Sequence, residues 1–200
     1  MWLRRGHRLF GGLLLLPLLA WALTGLVFFL KPGYGDAYAS PAVKTYPLET
    51  EISLPPISDG YEFRLMRTLL GRHLLVRDSR GAWLHLNART GEPWPEPDEG
   101  TMRLLLEDAL GAAPERYGEI LGLEGGVATT STGVRVSWNW ERLALYQRGR
   151  DTDLIDKLYD IHYLRWTGVA WLDRLAGMAG LVLIWLLGIS GSVLLLKKAR

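Results

Sequence analysis

Two uncharged apolar runs bracket the chain, Leu9 to Leu30 near its start and Leu175 to Leu196 near its end. Each is long enough to cross a hydrocarbon core of ~30 Å as a helix, which takes about 20 residues. Whatever lies between them must fold outside the bilayer core, because lipid leaves no partner for loose backbone N–H and C=O groups. The reading along the chain is a basic flank at 1–8, a transmembrane helix at 9–30, a linker at 31–56, a folded domain at 57–150, an interfacial helix at 151–174, a second transmembrane helix at 175–196 and a tail at 197–200.

The flanks orient the spans. Arg4, Arg5 and Arg8 precede the first run, and Lys197, Lys198 and Arg200 follow the second, with Lys31 near the other end of the first span. Cationic flanks stay on the cytoplasmic side, so both termini are expected in the cytoplasm and the central domain in the periplasm of a bacterial inner membrane. The first run reads as a retained span. It exceeds the 7–15 apolar residues of a signal peptide, and the small-x-small triplet Ala37-Tyr38-Ala39 lies well past its end. The net charge of +2 sits largely at the chain ends, which fits topology and leaves no basic face for nucleic acid. With no cysteine in the chain, disulfides, thiolate ligands, iron–sulfur clusters and covalently attached haem are excluded.

Between the spans, the pattern is α+β. Tyr61 to Met66 alternates as a strand does, and His73 to Arg77 and Ala82 to Leu86 flank the turn Asp78-Ser79-Arg80-Gly81. Asp98 to Leu110 predicts a helix, with Asp98 as cap, Met102, Leu105, Leu106, Ala109 and Leu110 as its apolar face, and Gly111 as its end. Pro114 to Leu121 reads as a second short helix. Val134 to Trp140 alternates strictly and is expected to pair with Leu143 to Gln147, placing Trp138 and Trp140 in the core. The segment returning to the membrane, Asp153 to Trp171, carries Tyr159, Tyr163, Trp166 and Trp171 as headgroup-level anchors.

Three stretches carry a resemblance. His7-Arg8-Leu9-Phe10-Gly11 opens a span ending Ala22-Leu23-Thr24-Gly25. Gly71-Arg72 runs to Leu86-Asn87-Ala88-Arg89-Thr90-Gly91-Glu92, with Asn87 where an aspartate is expected in the pattern. Leu158-Tyr159-Asp160-Ile161-His162 then precedes a span running from Gly180-Leu181 to Gly188-Ile189-Ser190-Gly191. Together they resemble the PepSY and PepSY-associated transmembrane family. That resemblance implies a periplasmic PepSY-like domain of antiparallel strands plus helix between two transmembrane helices. Larger relatives have four or more spans and include haem-b reductases of iron–siderophores. The PepSY module is also linked to peptidase propeptides and their inhibition.

Four histidines are available, and bis-histidine ligation of haem b takes two. His7 and His162 fall at opposite ends of the spans, so one haem in a monomer cannot use both. In a homodimer, or with a partner protein, each could supply one axial ligand at its own level. The alternative reading makes His7 part of the basic flank and His162 an interfacial anchor. Ala176 and Gly180, and Gly188 and Ser192, have the small-xxx-small spacing that admits close helix approach. The mid-span residues Trp21 and Trp185 each carry an N–H that needs a partner, a sign of helix or cofactor contact. His73 and His85 lie on neighbouring strands within reach of each other, without carboxylates at metal-site spacing.

Other chemistry is poorly served. Neither span holds Asp, Glu, Lys or Arg, which a proton or ion path needs. Thr24, Ser190 and Ser192 can satisfy their hydroxyls on backbone carbonyls. Ser131 and Ser137 lack a nucleophile-elbow pattern, and Gly122 to Gly126 precedes a strand, unlike a phosphate loop. Asp151, Asp153 and Asp156 fit a helix start and lack the spacing of a calcium loop. The functions expected are thus an accessory subunit of a redox or metal-uptake membrane assembly, a haem-b electron carrier completed by dimerisation or a partner, or a peptidase-regulating module. The expected partners are the lipid bilayer, another membrane protein or a second copy through the spans, and a periplasmic protein.

Overall fold

The computed structural model describes residues 2–48, 55–56 and 60–198, and the chain divides into two compact units. The central unit, Tyr34–Asp151, is α+β. Its first sheet is a meander of β1 (Glu62–Thr68), β2 (Gly71–Arg77) and β3 (Trp83–Asn87), all antiparallel. Helix α3 (Glu99–Leu110) and the single turn α4 (Pro114–Tyr117) follow. A second antiparallel sheet then runs in chain order through β4 (Ile120–Glu124), β5 (Val127–Thr130), β6 (Arg135–Asn139) and β7 (Ala144–Arg148).

The apolar face expected on α3 forms the centre of the core. Met102, Leu105, Leu106, Ala109 and Leu110 are buried, and the Asp98 carboxylate accepts from the Thr101 N–H at 2.8 Å to cap the helix. They pack with Leu75 of the first sheet, with Ala128, Val136 and Leu145 from the second, and with Val134 just before β6. Trp140 is buried in the same core, and Trp138 packs on it half-exposed. Leu106 is fully buried. Leu106→Ala should therefore cost about 2–5 kcal/mol of stability by leaving a cavity, read as a lower unfolding midpoint by tryptophan fluorescence of the full chain in detergent. An unchanged midpoint would show that α3 is not the centre of this core.

Three expectations change. The segment 31–56, read as a linker, is partly built into the unit. Ala42 bridges to Ala144, Tyr46 bridges to Arg67, Val43 is buried in the core, and the Tyr46 hydroxyl donates to Asp108 at 2.8 Å. Single-residue bridges leave no periodicity in a sequence. A short helix α2 (Tyr34–Ala37) opens this segment, while residues 49–54 and 57–59 lie outside the described ones. The expected helix from Pro114 to Leu121 stops at Tyr117, because Gly118 takes φ 62°. Leu121 and Gly122 then belong to β4. The glycine-rich run supplies Gly122 to that strand, and Gly125 and Gly126 form a two-residue turn with φ 56° and 77°, the conformation that closes a twisted hairpin.

The second unit comprises the chain up to Gly33 and from Thr152 onward. Helix α1 (Trp2–Leu30) and helix α6 (Ala170–Lys198) are each 29 residues long. That corresponds to about 44 Å at 1.5 Å per residue, more than a hydrocarbon core requires. They lie antiparallel: His7 meets Ser190, and Gly11 faces Leu187. Pro17 sits inside α1, tolerated in a span where neighbours re-satisfy the freed carbonyl. Helix α5 (Arg150–His162) precedes α6. The single interfacial helix expected over 151–174 is thus interrupted. The chain leaves α5 through Leu164 at φ 54° and Gly168 at φ 72°. The Asp173 carboxylate accepts from the Thr167 N–H and hydroxyl at 3.0 and 2.7 Å, which fixes the turn into α6.

Candidate functional site

The helical unit places both candidate ligands in the same local arrangement. His7 Nδ1 is 2.8 Å from Ser190 Oγ, and His162 Nδ1 is 2.9 Å from Thr24 Oγ1. Each hydroxyl has one proton and a backbone carbonyl within reach of it: Leu187 at 3.0 Å from Ser190, and Ala20 at 2.8 Å from Thr24. A hydroxyl that keeps its proton on the carbonyl accepts from Nδ1–H, whereas one that turns it to the imidazole donates to Nδ1. In the first arrangement Nε2 keeps its lone pair for another partner. A histidine ligand to a metal shows this pattern, with one ring nitrogen held by a hydrogen bond and the other free to coordinate.

Small residues make room for both rings. A Cβ at Gly191 would lie 3.3 Å from His7 Cε1, and one at Gly25 would lie 3.7 Å from His162 Cε1. Trp21 stacks on the His162 ring with centroids 5.4 Å apart, and Phe28 meets it edge-on at 5.0 Å. Tyr159 stacks on Phe28 at 4.3 Å. His162 therefore does more than anchor at headgroup level. It packs on α1 beside Thr24, six residues inside the Leu30 end of the apolar run. The hydroxyls expected to need only their own backbone carbonyls, Thr24 and Ser190, also orient the imidazoles. His7 and Thr24 are 17 residues apart on α1, which puts the two imidazoles at levels roughly 25 Å apart. One haem iron cannot take both.

The remaining candidates in the spans separate. Gly180 faces Leu164, with a Cβ there 3.5 Å from Leu164 Cδ1. Ala176, Gly188 and Ser192 are exposed, and the Ser192 hydroxyl donates to the Gly188 carbonyl at 3.0 Å. The face of α6 turned to α1 uses Leu187, Ser190 and Gly191 instead. Of the two mid-span tryptophans, Trp21 joins the His162 cluster and Trp185 stays exposed.

The central unit holds the other two histidines in a closed relay. His85 Nδ1 is 2.7 Å from the Trp140 carbonyl, which can only accept. With Nδ1–H donating there, the neutral His85 ring accepts at Nε2 from His73 Nδ1 at 2.8 Å. His73 Nε2 in turn accepts from the Thr68 hydroxyl at 2.7 Å, and the Leu70 N–H donates to Thr68 Oγ1 at 3.1 Å. Trp94 stacks on His73 at 4.3 Å, and Trp140 Nε1 donates to the Trp94 carbonyl at 2.7 Å. Burial, with the neighbouring His85 adding to it, pushes the His73 pKa down to about 3, and burial lowers that of His85 as well. Every ring nitrogen is used, so the pair ties the first sheet to the β6–β7 turn and leaves no lone pair for a ligand. Among the described residues, no group of three or more His, Asp or Glu side chains gathers to hold a metal. The Asp151 carboxylate is engaged by the Arg116 guanidinium at 2.6 and 3.2 Å. Ser131 Oγ accepts from the Glu119 N–H at 3.0 Å.

No protein-family model, no curated protein and no solved structure matches the chain. The geometry of the two units is therefore what a functional reading has to rest on. Sequence reasoning found His7, His162, His73 and His85. It missed Trp94 and Thr68, and it passed over Thr24 and Ser190 as hydroxyls without a role. No pattern in the sequence marks the latter two, which meet their histidines only through helix packing.

Proposed function

We propose that the chain is a PepSY-type, two-span inner-membrane subunit of a redox assembly. His7 at one membrane level and His162 at the other would each hold haem b through an imidazole. The second ligand at each level comes from another copy of the chain or from a partner protein. When bound, haem b would supply one-electron chemistry. The chain's own residues hold Nδ1 through Ser190 and Thr24, and Trp21 and Phe28 pack around the His162 ring. By the basic flanks, both termini are cytoplasmic and the central domain is periplasmic, where it binds a protein partner. The observation that carries this reading is the shared geometry: each imidazole places Nδ1 at 2.8 or 2.9 Å from a hydroxyl that has its own backbone carbonyl to donate to, which lets Nδ1 hold the proton and Nε2 coordinate.

The test is purification in mild detergent from cells supplied with haem precursor, followed by a visible spectrum and mass spectrometry of whatever co-purifies. The expected result is a Soret band with the sharp reduced α band of a low-spin, bis-histidine haem. A colourless protein with no partner would overturn the reading.

A further inference from the structure

We infer that the cytoplasmic-end groove of the helix pair is a binding site for an anionic phospholipid. Its headgroup phosphate is taken by Arg4 and Arg8 and its acyl chain lies against Leu194 and Leu195. The groove has a volume of about 530 Å³ and is lined by Arg4, His7, Arg8, Gly191, Leu194 and Leu195. Arg4 and Arg8 are four residues apart on α1, which stacks their side chains on one helix face. Arg4 lies in the first turn, where the helix dipole adds positive potential. Lys197 follows two residues beyond Leu195.

Charge complementarity decides the occupant. The sequence holds no Asp or Glu from residue 1 to 35 or from 174 to 200, so this end of the pair has no internal counter-ion for its guanidiniums. Guanidinium is the side-chain group that matches phosphate in two-pronged geometry. Basic pockets between transmembrane helices take anionic headgroups on these grounds. The groove combines that charge with an apolar wall, which free phosphate does not need and a diacyl lipid does. Gly191 shapes the site, because its missing Cβ lets the His7 ring close the floor of the groove. The opposite end of the pair differs: the groove there carries Asp160 and Asp173 beside Arg165 and Arg174, so its charges balance within the chain. The inference rests on the membrane placement of α1 and α6; His7 lines this groove, and the visible spectrum reads its haem ligation separately from lipid binding.

Native mass spectrometry of the full chain, titrated in detergent with phosphatidylglycerol or with phosphatidylethanolamine, tests the site. Phosphatidylglycerol is expected to bind at least tenfold tighter. Arg4→Gln with Arg8→Gln should abolish that preference, whereas Lys31→Gln with Arg174→Gln, which removes the same charge at the other end, should leave it intact. Leu194→Trp, which fills the groove without changing charge, should also weaken phosphatidylglycerol. Equal losses from the two charge pairs would overturn the inference, as would equal binding of the two lipids. Displacement of phosphatidylglycerol by millimolar inorganic phosphate would reduce the site to an anion site and overturn the lipid assignment.

Discussion

Acidification from pH 7 to 4.5 is expected to loosen the central unit, and the His73–His85 relay is the cause. His73 titrates at about 3 in the folded chain against 6.5 when unperturbed. Above pH 6.5 both folded and unfolded states hold a neutral ring, and the relay contributes its full stability. Between 6.5 and 3 the unfolded chain binds a proton that the folded chain refuses, so stability falls with pH. One such group costs about 1.4 kcal/mol per pH unit in that window, or about 2.7 kcal/mol between 6.5 and 4.5. His85, also shifted down, acts in the same direction. Hydrogen exchange of the full chain at pH 7 and 4.5 should show protection lost across β2, β3 and the β6–β7 turn. His73→Gln should lower stability at pH 7 by orphaning part of the relay and should flatten the pH dependence. An equally steep dependence in that variant would place the acid sensitivity elsewhere.

The second large effect concerns the membrane imidazoles. His162→Ala is expected to remove one class of bound haem and His7→Ala the other, each taking about half of the Soret absorbance. In the proposed tautomer, Thr24→Val keeps the His162 ring and deletes the acceptor for its Nδ1–H. That buried donor is then unsatisfied, which favours the other tautomer and withdraws Nε2 from coordination. Thr24→Val should therefore retain less haem than wild type and shift the midpoint of what remains, and Thr24→Ser should restore both. Full haem in His162→Ala and His7→Ala would mean that neither is a ligand.

These effects differ in how far the sequence foretells them. The α3 face from Met102 to Leu110 and the β6–β7 pairing are legible because one buried face imposes a period of 3.6 or 2, and the β2–β3 hairpin is legible from its turn, Asp78-Ser79-Arg80-Gly81. The β4–β5 hairpin is not. Its strands are short, Gly122 interrupts one, and the glycines that make its turn read equally well as a loop. The segment from Tyr34 to Pro47 is hidden for another reason: it attaches through single residues, Ala42, Val43 and Tyr46, each satisfied by a distant element. At the site, histidines are rare enough to be found by inspection, but their orientation depends on Thr24, Ser190, Gly25 and Gly191. Those residues lie far away in sequence from the rings they serve, and ordinary span chemistry explains each of them when read alone.

One imidazole per level is the central claim, and it makes haem retention depend on a second chain. The measurement that tests it is size separation of the haem-loaded protein in mild detergent, with absorbance read at 280 nm and in the Soret band and mass determined by light scattering. The account predicts that Soret absorbance travels with a dimer or larger assembly and is lost as dilution or harsher detergent yields monomer. Haem that stays with the monomer, or an assembly that carries none when haem is supplied, would contradict it.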